Sequence, residues 1–192
     1  SHTHEYLVDE SYDVIKSDIE KSISIFKNEL GNNSKFFSYP FGEYSLEFKN
    51  IIKSLGFNYA FGQHSGVIDE TKDLYELPRF PINEKYGEIK RFTSLTRTLP
   101  FKYKKIYPEE KYLSQIKNPP EVKIEFYENI KNLKSLSCYS NEGDKWRQSD
   151  IKFDNTNTLL ININEKFVGE RGRINCSLRD PSGFWRWLGV QF

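Results

Sequence analysis

The chain is poor in cysteine and histidine, has no excess of either charge, and holds no long apolar run. Its two cysteines, Cys138 and Cys176, cannot build a four-thiolate zinc site, and neither lies in a Cys-x-x-Cys redox motif. They are two buried thiols or one disulfide. Both fall in segments that read as strands of one small β domain, where they are expected to face each other. Lysine and arginine number 28 against 27 acidic residues, a net of +1. That balance argues against a general nucleic-acid binder, because phosphate binding usually leaves a basic excess. No stretch approaches the roughly 20 apolar residues of a membrane span, and mean hydropathy is −0.69. The opening SHTHEYLVDE lacks the basic-then-apolar order of a signal peptide.

Aromatic residues are plentiful: 15 Phe, 12 Tyr and 3 Trp make 16% of the chain. That is too rich for a disordered segment. It suits packed cores, and also flat surfaces on which sugars stack. A chain of 192 residues is one large domain or two small ones.

The first half alternates helix with strand. Ile15, Ile19, Ile23, Phe26 and Leu30 share one helical face over 12–30, with Ser11 before it and Gly31 after it. The aromatic run 35–39 sits between turn residues and Pro40 and reads as a buried strand. A second helix is expected over 45–55, ended by Gly56, and a strand over 57–61. A loop, a short extended piece at 77–82 and a helix over 85–99, through Ile89, Phe92 and Leu95, complete this half. Strands separated by helices are the signature of parallel βα units.

The pattern then changes. Residues 102–120 are rich in Lys, Tyr and Pro and read as a linker or extended crossover. From Glu121 onward the period is two: Val122, Ile124 and Phe126 alternate with charged residues, as do Leu133, Leu136 and Cys138 less strictly. Further strands are expected over 158–163, 173–178 and 185–190, with turns at 141–143, 165–166 and 180–183. The expected fold class is α/β plus all-β, with domains at 1–103 and 121–192 joined by a linker at 104–120. The second domain is expected to be a small antiparallel β-sandwich.

Only three histidines occur, His2, His4 and His64. His2 and His4, two apart, can present two imidazoles on one side of an extended segment, or simply belong to a frayed end. His64 lies in a Gly-bounded loop and reads as solvated. The segment 37–42, Phe-Ser-Tyr-Pro-Phe-Gly, ends a strand in a tight turn. It is an ordinary βα turn, or one that aims the Phe41 amide into the mouth of a parallel barrel, where active sites lie. Trp185 and Trp187 share one strand face, either a sugar platform or a surface buried against another sheet.

These pieces occur in a telling order: Ser-His-Thr-His-Glu-Tyr-Leu (1–7), a helix, Phe-Phe-Ser-Tyr-Pro-Phe-Gly (36–42), Leu-Gly-Phe (55–57) and Leu-Pro-Arg-Phe-Pro (77–81). The run resembles the later part of a polysaccharide deacetylase of the NodB-homology type, carbohydrate esterase family 4, over about residues 1–99. The resemblance implies an incomplete (β/α) barrel and a divalent metal, usually zinc, held by Asp-His-His. It implies removal of acetyl groups from a glycan of the cell envelope, periplasm or outside the cell.

Residue by residue, it makes His4 the second metal histidine. Taking His2 as first ligand instead demands histidine at position 6, which is Tyr6. The Phe41 amide takes the oxyanion role, Tyr39, Pro40 and Gly42 line the substrate, and Arg79 orients an aspartate or forms a structural ion pair. The family's Asp-Asp strand, its first histidine and a Leu-x-His motif are not found in the sequence, and the third motif's arginine is replaced around Ser38. The metal, the base and the rest of the barrel are therefore expected from a further N-terminal part of the same protein. The 192 residues alone are expected neither to deacetylate nor to hold zinc tightly. The competing reading is a non-catalytic carbohydrate-binding or surface protein with a degraded barrel.

Overall fold

The structure is a computed structural model that describes residues 1–127, 131–132, 135–154, 157–169 and 171–192. The chain forms two compact units. The first comprises Ser1–Gln63 and Lys72–Leu77, the second His64–Thr71 and Pro78–Phe192. Residues 78–103, read from the sequence as the end of the first domain, and the linker 104–120 thus belong by their contacts to the second unit.

In the first unit, helix α1 (Tyr12–Leu30) ends at Gly31, which takes a left-handed φ of 74° and donates its N–H to the Lys27 carbonyl. Only the first half of its apolar face is buried. Ile15 and Ile19 are almost fully enclosed, whereas Phe26 and Leu30, expected on the same face, are exposed. Strand β1 (Phe36–Ser38) pairs parallel with β2 (Tyr59–Phe61), Phe37 opposite Ala60. Between them runs α2 (Leu46–Ser54), whose first turn is capped by the Ser45 hydroxyl accepting from the Phe48 N–H at 3.1 Å.

Phe48, Ile51 and Ile52 enter a core shared with Leu7, Ile15, Ile19, Phe37, Tyr39 and Ala60. Each such side chain contributes about 1.5–3 kcal/mol of burial. A parallel bridge from Phe61 to Leu77 extends the sheet. The strands alternate with helices as parallel βα units do, and among the described residues they close no barrel.

The second unit begins its regular structure with α3 (Ile89–Thr96), shorter than the expected 85–99. The amide of Tyr86 bonds back to both the carbonyl and the side chain of Asn83, a turn that delays the helix. Ile89 and Phe92, expected to face a core, are exposed.

Among the described residues nine strands follow: β3 (Leu99–Pro100), β4 (Lys105–Tyr107), β5 (Val122–Glu125), β6 (Ser137–Ser140), β7 (Arg147–Gln148), β8 (Asp150–Phe153), β9 (Thr158–Asn162), β10 (Arg173–Arg179) and β11 (Trp185–Gln191). They form a five-stranded sheet, β3-β11-β10-β6-β7, and a four-stranded sheet, β4-β5-β9-β8. β3, from the stretch expected to end the first domain, runs parallel to β11; the other described pairs in these two sheets, including all those within 121–192, are antiparallel. Both sheets feed one hydrophobic cluster, Val122, Ile124, Leu159 and Ile161 from one, and Ile174, Leu178, Leu188 and Val190 from the other. Leu133, assigned to an alternating strand by the sequence, lies outside the described residues.

Cys138 and Cys176 are directly opposite in the β6–β10 ladder and form a disulfide with Cα atoms 4.0 Å apart. Along β11 the inward residues are Leu188 and Val190, each 4% exposed. Trp185 and Trp187 therefore point to the opposite face, where Trp185 is 43% exposed and Trp187 half-buried. They are not buried against the second sheet.

Candidate active site

The first unit brings together two segments that are 30 residues or more apart in sequence. The N-terminal one is anchored by Asp18 of α1, a carboxylate in a residue only 6% exposed. Its two oxygens accept the N–H groups of His2 at 2.7 Å and Thr3 at 2.9 Å. Burial pushes the Asp18 carboxyl up, but the His2 and Thr3 hydrogen bonds outweigh it and hold it below the usual carboxylate range. The His4 N–H then donates to the Ser1 hydroxyl at 3.2 Å, and His4 takes a left-handed φ of 58°. Three residues on, Leu7 enters the core at 3% exposed. His4 is thus fixed between two anchors while its side chain stays at the surface.

The second segment is the turn after β1. The Tyr39 N–H donates to the Phe61 carbonyl, and Tyr39 itself is buried, its hydroxyl donating to the Tyr75 carbonyl at 2.9 Å. Burial pushes the Tyr39 phenol far up, aided by the carboxylates of Asp73 and Glu76, so it stays neutral. Pro40 stops the ladder. Phe41 and Gly42 then follow with φ of 54° and 79°, both left-handed. A Cβ on Gly42 would stand 2.5 Å from the Gln63 backbone nitrogen, so only glycine fits.

This turn carries Phe41 to the N-terminal segment. Its ring stacks on Tyr6 at 4.2 Å between centroids and 10° between planes, and on His4 at 5.1 Å and 14°. His4 and Phe41, singled out separately in the sequence, thus meet. Tyr39, Pro40 and Gly42 are buried and shape the turn. His2 is exposed and enters through its backbone N–H. Arg79 falls in the second unit, where its N–H donates to the His64 carbonyl at 3.0 Å.

The sequence reading missed the group that holds 72–77, the segment whose Tyr75 carbonyl accepts from Tyr39. Lys49 of α2, 7% exposed, pairs with Asp73 at 2.6 Å and Glu76 at 2.9 Å and so ties 72–77 to the unit. Burial pulls its ammonium down, but Glu76 and Asp73 more than restore it, leaving it above the ordinary lysine value.

Three donors make a catalytic zinc site. Among the described residues, no group of three His, Cys, Asp or Glu side chains converges in that way. The site as it stands offers one exposed imidazole beside a strained aromatic turn, and by itself it does not fit a metal centre.

Comparison with known proteins bears on the same residues. Residues 1–60 match the family model for Polysaccharide deacetylase. A search of curated proteins gave no match. Among solved structures, the Streptococcus pyogenes deacetylase PplD in complex with acetate is similar, with 21% sequence identity and a TM-score of 0.45. The likeness covers 48% of this chain and 40% of that one, so this chain spans well under half of the deacetylase it matches. The matched stretch 1–60 holds both His4 and the turn at 36–42.

Proposed function

We propose that the first unit is part of the acetyl-removing site of a metal-dependent polysaccharide deacetylase. The observation that carries this reading is the meeting of His4 with Phe41 inside the matched stretch. In this proposal His4 offers one imidazole donor to a divalent metal, zinc by family habit, and the Phe41 stack and the Asp18 anchor fix its ring and backbone. In the same proposal the Phe41 N–H is the donor that receives the developing oxyanion. The other metal donors and the proton acceptor come from polypeptide outside residues 1–192. The substrate is an acetylated glycan of the envelope or of the space outside the cell, and the Cys138–Cys176 disulfide supports an oxidising compartment. The two sheets of the second unit are read as a β-sandwich appended to the deacetylase part.

A second reading, a carbohydrate-binding or surface protein with a degraded barrel, is favoured by the lack of a three-donor cluster among the described residues. Acetate release separates the two. In a longer protein that contains these 192 residues, His4→Ala is expected to abolish acetate release. His64→Ala is expected to leave at least roughly a third of it, since the His64 carbonyl that accepts from the Arg79 N–H is backbone and survives the substitution. Normal turnover of the His4 variant would overturn the assignment. The 192-residue chain incubated with zinc and an acetylated chitooligosaccharide is expected to release nothing above the blank. Release there would move the base onto this chain, with Asp9 and Asp69 the first to test, although the Asp69 carboxylate already accepts from the Thr71 N–H and hydroxyl.

A further inference from the structure

We propose that the outer face of the five-stranded sheet in the second unit binds an acidic glycan chain. Strand alternation places Trp185 and Trp187 of β11 on this face, with Asn175, Ser177 and Arg179 of β10 and Ser137 and Tyr139 of β6. Farther along β11 the Ser65 backbone covers Gly189, where a Cβ would stand 2.5 Å from its nitrogen, and Gln191 is buried, so the open part is the Trp185 end. Two large aromatic rings on it, Trp185 and Tyr139, are each 43% exposed.

The rings are held in place. The Arg179 guanidinium lies 6.0 Å from the Trp185 ring centroid, and its Nε–H donates to the Gly183 carbonyl at 3.3 Å. The Trp187 indole N–H donates to the Asn175 side-chain oxygen at 3.4 Å, and Phe80 meets the Trp187 ring edge-on at 6.1 Å. Flat rings fixed at low entropic cost are what a pyranose needs for stacking, and hydroxyl and amide groups beside them suit its hydroxyls.

Beside the tryptophans lies a hollow of about 120 Å³ lined by Ser94, Leu95, Thr98, Ser177, Trp185 and Trp187. That is room for a small polar group such as a hydroxymethyl or acetamido substituent. Trp185 stands opposite Arg179, and Tyr139 opposite Asn175, two strands across and four residues along. That is about 10 Å by about 13 Å, a span for a short oligosaccharide rather than a single sugar.

Charge gives the ligand its class. Of the described residues that alternate onto this face in β3, β6, β7, β10 and β11, none is acidic; the charged ones are Arg179, which is exposed, and Arg173, whose Nε is buried. The neighbouring Asp180 is engaged by Arg186 at 3.2 Å. A carboxylate- or phosphate-bearing glycan therefore complements the face better than a neutral one.

This surface stands apart from the deacetylase reading, and its test reads binding, not acetate release. The intact 192-residue chain is titrated, with calorimetric detection, against an oligosaccharide of alternating glucuronate and N-acetylglucosamine. A chitooligosaccharide and a single-stranded oligonucleotide are titrated in parallel. Saturable binding of the acidic oligosaccharide is expected, with Trp185→Ala weakening it at least about tenfold and Trp185→Tyr restoring most of it. Arg179→Gln is expected to narrow the preference for the acidic over the neutral sugar. Tyr12→Ala, which removes an exposed ring of the first unit, is expected to change nothing. The proposal is overturned by absence of saturable sugar binding, by equal weakening from Tyr12→Ala, or by tighter binding of the oligonucleotide.

Discussion

Phe41 and Gly42 turn the backbone through two successive left-handed residues, and only one of them is glycine. A non-glycine residue held there costs about 1–3 kcal/mol. Stacking of the Phe41 ring on Tyr6 and His4, at about 0.5–1.5 kcal/mol for each pair, is of a size to offset it. The turn and the N-terminal segment therefore stabilise each other, and loosening either should release both. Gly42→Ala tests this against Gly31→Ala. Both sites have positive φ, but a Cβ at Gly31 meets nothing within 4 Å, whereas at Gly42 it strikes the Gln63 backbone. Gly31→Ala is expected to cost about 1 kcal/mol, and Gly42→Ala about 2–4 kcal/mol in thermal or urea unfolding. Equal costs would mean that the loop carrying Gln63 yields, and that the turn is not held as tightly as this packing implies.

Between elements, the tie that counts most in the first unit is Lys49 of α2 with Asp73 and Glu76. Removing one partner of a fully buried pair costs about 3–5 kcal/mol. Here Asp73 is 37% exposed in its side chain and regains water, so Lys49→Ala is expected to cost about 1–3 kcal/mol. The pH dependence follows from the shifts. Burial pushes the Asp73 carboxyl up, but Lys49 and the Tyr75 N–H win and hold it below its ordinary value. Its contribution is therefore complete above the unfolded value near pH 4 and is lost as pH falls through the lower folded value. Lys49 is raised, so its share holds below about pH 10 and is lost above that. An Asp73→Asn variant is expected to flatten the acid limb of the stability–pH curve; an unchanged acid limb would assign it to other carboxylates.

This tie was not legible in the sequence, because its partners are 24 and 27 residues apart and carry no local pattern. The Asp18 anchor was hidden for the same reason. By contrast α1 was legible to its last residue, since apolar spacing, Ser11 and Gly31 agree. The exposed end of its apolar face was not, because periodicity says which side is apolar and not whether anything covers it. β3 and β4 were missed because strands of two or three residues among prolines and lysines leave no period to read. Of the site, His4 and Phe41 came from motif and resemblance, whereas their contact came only from the fold.

For the molecule as a whole, the cross-link belongs to the second unit alone. Cys138 and Cys176 are 38 residues apart and staple the middle of the five-stranded sheet, β6 to β10. Closing a loop of that length restricts the unfolded chain by about 4 kcal/mol in the chain-entropy picture, and measured effects run about 2–4 kcal/mol. That is a large share of the stability of a small domain. The three tryptophans, Trp146, Trp185 and Trp187, all lie in the same unit, so tryptophan fluorescence reports its unfolding without contribution from the first. A reductant is expected to move the fluorescence-detected urea transition to lower denaturant by an amount equal to about 2–4 kcal/mol. The Cys138→Ser, Cys176→Ser double variant should start at that lower midpoint and ignore the reductant. A wild-type transition unmoved by reductant, under conditions in which thiol titration finds both cysteines free, would mean that the sheet holds without its staple. The stability of the second unit would then rest on the cluster built by its two sheets.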